Sequence, residues 1–229
     1  GPGLVEAETN IARNLGVDIR YGARAIRLTR EHDRVTGVEV KQAGATYQIN
    51  ARAVVLAAGG CQANPGMRTR YLGPGWELAK VRGSRFNTGA GIRMALDIGA
   101  APYGNWSGCH AVAWELNAPE FGDLGIGDMF QKHSYPFSLC VNLNGERFLD
   151  EGADFRNYTY AKYGRVILQQ PQQTAWQVFD SKVTHLMRDE YRIKQVTRVE
   201  ADTIEALART LATEHGMNEE NFLRTVTDY

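Results

Sequence analysis

Two pairs of glycines stand where a ligand could approach the protein backbone. Gly59-Gly60 follows the apolar run Ala53–Ala58, and Gly89 and Gly91 begin a helical segment that ends at Gly99. A residue without a Cβ lets a phosphate group or a flavin ring approach the backbone N–H groups at the positive end of a helix. A tight turn without a ligand is the commoner cause of two glycines at a helix start. The second pair alone therefore leaves both interpretations open.

Charge and cysteine usage exclude several classes of function. Cys61, Cys109 and Cys140 are widely spaced and form no C-x-x-C pair, which argues against a disulfide framework and against a cysteine metal site. The 26 basic residues balance 26 acidic ones, so no overall field attracts nucleic acid or an anionic membrane. No apolar run approaches the roughly 18 residues of a membrane span, and no leader opens the chain. The sequence therefore predicts a cytoplasmic protein with reduced thiols, no bound nucleic acid and no membrane insertion.

The residues before Gly59 form the elements that must position the glycines. Apolar residues at helical spacing predict a helix from Leu4 to Leu15, which Gly16 ends. Three short segments rich in β-branched or alternating residues follow and predict an antiparallel meander; they cover 25–29, 35–40 and 46–49. The unbroken apolar run Ala53–Ala58 is typical of a strand buried on both faces of a parallel sheet.

The connection after this run and the region after Ala101 differ in character. Glycine, proline and arginine are frequent between Cys61 and Ser84, which predicts an ordered but irregular connection. Farther on, Ser138–Leu143 alternates like a strand, and Asn144-Gly145 is a strong hairpin signal. Glu146–Leu149 is therefore predicted to return as the second strand.

Helices are predicted in the last part of the chain. Residues 202–214 and 218–229 have helical patterns, with Asp202 and Asn218 as the expected N-caps. Tyr158, Tyr160 and Tyr163 are spaced so that they could share a helix, where packing is their default role.

In this order and spacing, the motifs resemble the FAD-dependent fumarate reductase and succinate dehydrogenase flavoproteins. The resemblance rests on "AVVLAAGG", "NTGAGIRMALDIGA", His110, and "VNLNGERFLDE" followed closely by Arg156. Two further segments, "GRVILQQPQQTAWQVFD" and "VEADTIEALARTL", look most like tricarballylate dehydrogenase and the related flavoprotein once described as a precorrin-3B synthase.

The resemblance implies an α+β fold in two parts. Residues 1–100 would be an incomplete FAD-binding, Rossmann-like α/β portion, and residues 101–229 an α+β capping domain that closes over the substrate. The family's G-x-G-x-x-G fingerprint is not matched by the opening "GPGLVE", which follows no strand. We therefore expect an internal fragment of a flavoenzyme that by itself holds FAD weakly and is inactive.

The resemblance also implies which residues contact the FAD. The backbone near Ala25 would approach the adenine, the "AAGG" run would follow the adenosine and pyrophosphate, and Thr88-Gly89 would lie near the isoalloxazine. Ala90 replaces the usual aspartate of the family, so only a backbone role is expected there. The candidate cofactor-binding residues are Ala25, Ala58, Gly59, Gly60, Thr88, Gly89 and Gly91.

Arg156 and His110 are the candidate catalytic residues. Oxidation of a saturated polycarboxylate to an alkene passes a hydride to the flavin and a proton to a base. Arg156 matches the arginine on the family's proton-transfer side, with one residue more after Glu151 than the common spacing. Because a guanidinium stays protonated, an electrostatic role is better supported than proton transfer. His110 matches a substrate-binding histidine, although a lone histidine in such a segment is more often only hydrogen-bonded in place.

One departure from the family bears on the substrate. Ser134 stands where the common pattern has an arginine, and Lys132 and His133 are nearby cations that could replace it. A tricarballylate-like polycarboxylate is therefore expected, with fumarate reductase or succinate dehydrogenase activity as the alternative. An inactive binding or interaction fragment and, less favoured, a nicotinamide-dependent dehydrogenase also stay open. The resemblance allows an electron-transfer partner protein, and Arg147 is expected to pair with Asp150 or Glu151.

Overall fold

Helices and strands occur together in both of the chain's two structural units. The computed structural model describes residues 1–229; the first unit comprises 1–59 and 90–102, and the second comprises 60–89 and 103–229. The predicted α+β class is confirmed. No helix combines the length and the apolar character that crossing a bilayer requires. In chain order the elements are α1 (Pro2–Asn14), β1 (Arg24–Glu31), β2 (Arg34–Gln42), β3 (Ala45–Asn50), α2 (Pro65–Leu72), α3 (Ala90–Asp97), β4 (Leu139–Asn142), α4 (Arg156–Leu168), β5 (Ala175–Val178), α5 (Ile204–His215) and α6 (Glu219–Asp228).

The predicted meander forms the sheet of the first unit. Its order is β1-β2-β3, all antiparallel, and Ala25 lies opposite Val40. Leu28 and Val40 are its buried apolar side chains. Helix α3 packs against β1, and the Arg30 guanidinium donates a hydrogen bond of 2.7 Å to the carbonyl of Ile98 just after that helix. The alternating apolar pattern thus predicted both the strands and their pairing.

The prediction of a buried strand at Ala53–Ala58 is wrong for this chain. These residues form no helix or strand, and Val55 is 88% exposed. An apolar run becomes a strand only when neighbouring strands accept and donate its backbone hydrogen bonds. No other strand of the chain pairs with this run, so its composition is not enough.

Helix α2 lies where an irregular connection was predicted. Asn64 caps it, because its side-chain oxygen accepts a hydrogen bond of 3.1 Å from the Met67 amide, and Pro65 occupies the first helical position. Both are standard helix-start residues. The dipeptide Asn64-Pro65 was therefore a signal that outweighs the glycine and arginine content of the segment.

The predicted hairpin forms its turn and a single antiparallel bridge, between Val141 and Arg147, without a second full strand. Gly145 has φ +76°, and the Asn142 amide donates to the Glu146 carbonyl at 3.0 Å, but residues 146–149 form no strand. Strand β4 pairs instead with β5, so that Val141 lies opposite Trp176. A turn signal predicts a local chain reversal, whereas the choice of a strand's partner depends on which distant segment brings apolar side chains.

The two C-terminal helices pack on β4. The buried core of this region consists of Leu139, Val141, Ala208, Leu211, Met217 and Phe222. Asn218 caps α6 as predicted, since its side chain accepts a hydrogen bond of 2.9 Å from the Asn221 amide. The cap of α5 is Thr203 and not Asp202, because the Thr203 hydroxyl reaches the Ala206 amide at 3.2 Å.

Candidate functional site

Three side chains of the second unit lie around the ring of Tyr160. The ring of His110 lies edge-on to it with 5.1 Å between centroids, and the ring of His133 lies likewise at 4.9 Å. The Cζ atom of Arg156 is 5.6 Å from the Tyr160 ring centroid. The structure thus places the two candidate catalytic residues at one aromatic side chain. We call His110, His133, Arg156 and Tyr160 the Tyr160 cluster.

Helix α4 supplies two members of the cluster. Arg156 is its first residue, and Tyr160 follows four positions later, so the two side chains lie on the same face. The Tyr135 hydroxyl donates a hydrogen bond of 3.3 Å to the Arg156 carbonyl and also bonds to the Thr159 hydroxyl. This tyrosine is buried, which fixes the first turn of the helix.

A glycine in α4 lets the segment with His110 approach the helix. A Cβ built on Gly164 would lie 2.5 Å from the carbonyl carbon of Ala111 and 2.6 Å from the Val112 nitrogen. Two backbone hydrogen bonds join the segment to the helix: the Ala111 amide to the Ala161 carbonyl at 2.8 Å, and the Gly164 amide to the Ala111 carbonyl at 3.1 Å. This contact holds His110 beside Tyr160.

The loop with His133 is held by residues 188–191. The His133 amide donates a hydrogen bond of 2.6 Å to the Glu190 carboxylate, and the Ser134 amide donates to the Tyr191 hydroxyl at 2.9 Å. The Arg188 amide donates to the Ser134 hydroxyl at 3.0 Å. All three bonds hold the backbone around position 133, from which the imidazole extends to the Tyr160 ring.

Lys132 and His133 do not supply the free positive charge that was expected of them. Lys132 is buried, its ammonium lies 3.4 Å from the Glu115 carboxylate, and burial lowers its pKa although Glu115 opposes that effect. Burial is the largest cause that lowers the pKa of His133, to about 4, and the charge of Arg156 also lowers it. The charge of Glu190 opposes both effects. Near neutral pH His133 is therefore uncharged. The prediction that these two residues replace the missing arginine as cations is wrong.

The candidate cofactor-binding residues fall in both units. In the first unit, Gly59 has φ +70°, and a Cβ on Gly91 would lie 3.2 Å from that of Ala58. In the second unit, the Gly89 amide donates to the Gly60 carbonyl at 3.0 Å, and the Thr88 carbonyl accepts a hydrogen bond of 3.0 Å from the Asn64 side chain.

Membership of a protein family follows from comparison with known sequences. The profile of the FAD binding domain family matches residues 1–226. The chain belongs to the FAD binding domain family.

Known proteins that resemble the chain have names with different specificities. The chain is 29% identical over 238 residues to the "Probable fumarate reductase Ifc3" of Shewanella frigidimarina (strain NCIMB 400), covering 100% of this chain and 37% of the relative. The open conformation of a flavocytochrome c3 fumarate reductase superposes with a TM-score of 0.72 at 26% identity, covering 100% of this chain and 38% of the other. The structure of a 3-ketosteroid Δ1-dehydrogenase of Sterolibacterium denitrificans superposes with a TM-score of 0.66 at 25% identity, covering 94% of this chain and 40% of the other.

Packing requires glycine at position 89, and the residues before Gly60 are exposed. Gly89 has φ +80°, and a Cβ there would lie 2.9 Å from the Cβ of Cys61 and would also collide with Met67. Any other residue at this position would therefore be strained in its backbone and crowded in its side chain. The backbone of residues 57–59 is exposed, with only small side chains, which suits the close approach of a phosphate or a planar ring.

A large cavity adjoins His110 in this member of the FAD binding domain family. Its volume is about 1170 Å³, all its lining residues belong to the second unit, and His110 is one of them. Its aromatic lining consists of Tyr71, Trp76, Phe86, Trp106, Trp114 and Phe121. Pockets for drug-sized ligands usually measure about 300–1,000 Å³, so the space exceeds the needs of a small dicarboxylate.

The sequence pattern did not identify two residues of the site, Tyr160 and Gly164, or the neutral state of His133. Tyr160 was assigned to packing, although its place four residues after Arg156 on a helix was a signal that the two side chains share a face. Gly164 lies inside a helical pattern, where a glycine points to a close packing contact. For the neutral state of His133 no local signal exists, because burial by distant residues causes it.

Proposed function

We propose that the protein that contains this chain is an FAD-dependent oxidoreductase of the fumarate reductase or dehydrogenase type that acts on a polycarboxylate. The meeting of Arg156 and His110 at Tyr160 carries the proposal, because these two residues come from sequence positions far apart. Family membership supports FAD as the cofactor. A tricarballylate-like substrate is the finer form of the proposal, and fumarate or succinate is its alternative.

Each residue of the cluster has a defined part in this proposal. FAD, when bound, supplies hydride transfer to or from the substrate carbon. Arg156 holds positive charge where a proton leaves or arrives, which stabilises the negative charge of the transition state. The planar fork of its guanidinium also fits a carboxylate. His110 hydrogen-bonds a substrate carboxylate, and Tyr160 keeps both side chains in position.

The same proposal assigns a different part of the enzyme to each region of the chain. Residues 1–100 would contribute an internal part of the FAD-binding domain, and residues 101–229 would form the capping domain over the substrate. The proposed FAD contacts are Ala25, Ala58, Gly59, Gly60, Thr88, Gly89 and Gly91. An electron-transfer partner protein would pass electrons to or from the flavin.

Variants of the whole FAD-loaded protein test this function. Tricarballylate, succinate and fumarate are offered with an artificial electron acceptor or donor. Arg156→Lys keeps the charge but not the fork, so we expect kcat to fall by at least about tenfold with a smaller change in KM. His110→Ala removes a contact made in both ground and transition state, so we expect KM to rise by about tenfold or more with a smaller change in kcat.

Two matched controls separate these effects from general damage. Arg209→Lys changes an exposed arginine of helix α5, and His185→Ala changes an exposed histidine of the same unit; both should behave like the unmodified protein. If Arg156→Lys keeps its kcat on the best substrate, Arg156 is not the residue on the proton side. If the unmodified protein converts none of the three acids, the polycarboxylate assignment is wrong.

The cavity beside His110 favours a second candidate function, the oxidation of a larger apolar ketone. Its aromatic lining and its volume of about 1170 Å³ suit a bulky ring system better than a small acid. The solved 3-ketosteroid Δ1-dehydrogenase is in complex with 1,4-androstadiene-3,17-dione. A 3-oxosteroid is therefore added to the substrate panel, and turnover of it without turnover of any polycarboxylate would favour this alternative.

A further inference from the structure

The imidazole of His133 is a buried polar group with an unmet hydrogen bond. His133 is only 5% exposed, and its Nε2 atom has no hydrogen-bond partner. Leaving such a nitrogen unpaired inside a protein disfavours folding, so the sites where it persists usually serve another purpose. The backbone of this residue, in contrast, is firmly held by Glu190.

The position of this imidazole ties it to the candidate site. Its ring is 4.9 Å from the Tyr160 ring, whose other neighbours are His110 and Arg156. The amide of the next residue, Ser134, donates a hydrogen bond to the Tyr191 hydroxyl. The ring of His133 therefore packs against the same aromatic side chain that the two candidate catalytic residues contact.

The charges around His133 determine which kind of hydrogen bond it offers. Arg156, Arg188 and Arg82 disfavour its protonated form, Glu190 favours it, and burial has the largest effect. The imidazole is therefore neutral above about pH 4, with one N–H group and one bare nitrogen. With Nε2 protonated, the ring offers an oxygen atom an uncharged donor.

We propose that the Nε2–H group of His133 donates a hydrogen bond to a carboxyl or carbonyl oxygen of the bound substrate. This inference rests on the proposed function, and it names a further residue that determines specificity. The site then binds one substrate oxygen through a neutral donor next to the cation Arg156. Ser134 provides no charge, and the other nearby cations are paired with carboxylates: Lys132 with Glu115, Arg188 with Glu190 and Arg82 with Asp128. The chemistry fits a substrate with one ionised group near Arg156 and an acceptor oxygen near His133.

Substitutions of His133 in the whole FAD-loaded protein test this inference. His133→Phe keeps a flat ring of similar size but removes the donor, whereas His133→Gln keeps an N–H group at a similar reach. We expect His133→Phe to raise KM for the best substrate by about ten- to a hundredfold, the range for a hydrogen bond to a charged acceptor. His133→Gln should recover most of that loss, and His185→Phe, at an exposed site, should change nothing.

Two readouts distinguish ligand binding from a structural role. The KM effect of His133→Phe should stay constant between about pH 6 and 9, because a neutral donor does not titrate there. In the unmodified protein, labelled with ¹⁵N-histidine, the Nε2 resonance of His133 should shift when substrate is added and not when buffer is added. This measurement needs no variant, so it stays informative if His133→Phe folds poorly.

The outcomes separate this inference from the proposed function. If the protein converts a polycarboxylate, yet His133→Phe keeps its KM and the Nε2 resonance does not move, His133 does not contact the substrate. A KM effect that disappears as the pH rises through about 6.5 would show a charged imidazole and would also overturn it. If no substrate of the panel binds or reacts at all, the proposed function fails and this inference fails with it.

Discussion

Gly164 is the position at which a single methyl group should disturb the site most selectively. In Gly164→Ala the new Cβ would lie 2.5 Å from the Ala111 carbonyl carbon, 2.6 Å from the Val112 nitrogen and 2.7 Å from the Ala111 oxygen. All three are backbone atoms, so no side-chain rotation relieves the overlap. The segment 110–112 must move away from α4, and His110 moves with it.

The size of the effect follows from three contributions. Overpacking of a filled contact costs typically about 1–3 kcal/mol. Moving the segment also weakens the two backbone hydrogen bonds of Ala111, each with a net value of about 1 kcal/mol. Alanine in a helix favours folding by up to about 1 kcal/mol relative to glycine. We therefore expect the free energy of unfolding to fall by about 1–3 kcal/mol.

Thermal unfolding and kinetics measure this change together. The midpoint of the unfolding transition should fall by about 2–4 °C per kcal/mol for a domain of this size, and KM should rise because His110 leaves its place beside Tyr160. Gly3→Ala is the matched control, since Gly3 is also helical and a Cβ there meets no atom within 4 Å. If Gly164→Ala unfolds and binds substrate like the unmodified protein, the close approach of Ala111 to α4 is not a determinant of the site.

The remaining predictions concern helix capping and pH. Asn218→Ala should lower the free energy of unfolding by about 1 kcal/mol because the Asn221 amide loses its acceptor. Asp202→Ala should have almost no effect on this free energy. Equal losses for the two variants in denaturant titrations would contradict the assigned caps. His133 binds a proton in the unfolded chain near its ordinary pKa of 6.5 but in the folded chain only at about pH 4. Stability should therefore rise with pH between about 4 and 6.5, with a slope from this residue of at most about 1.4 kcal/mol per pH unit. Unfolding measured across this range should show a smaller slope in His133→Phe, and an unchanged slope would mean that His133 is not buried as a neutral ring.

Several features of the protein are determined by residues close together in the sequence. The alternation of apolar and polar residues from β1 to β3 predicts three strands, and the short turns between them leave only antiparallel pairing. Asn218 identifies the start of α6, since a cap acts on amides three residues away. The motifs with their order and spacing were enough to predict a flavoprotein family, and family membership agrees with that prediction.

Other features depend on residues that are distant in the chain. The apolar run Ala53–Ala58 predicts a strand by its composition, yet a strand needs hydrogen-bonded neighbours, and none lies beside it in this chain. Likewise β4 forms its extended pairing with β5, whereas the segment after its own turn contributes only the single bridge from Arg147 to Val141. In both cases the local pattern describes which residues prefer burial, whereas the pairing depends on which segments meet in space.

The chemistry of the site shows the same division most clearly. Sequence reasoning identified Arg156 and His110 as candidates, but only the packing of Ala111 on Gly164 places the two side chains at one tyrosine. The sequence also led us to name His133 as a nearby cation. In the folded chain, burial and the charge of Arg156 keep that ring neutral. Desolvation and Coulomb interactions depend on three-dimensional distances, so the tertiary structure alone decided the charge of His133.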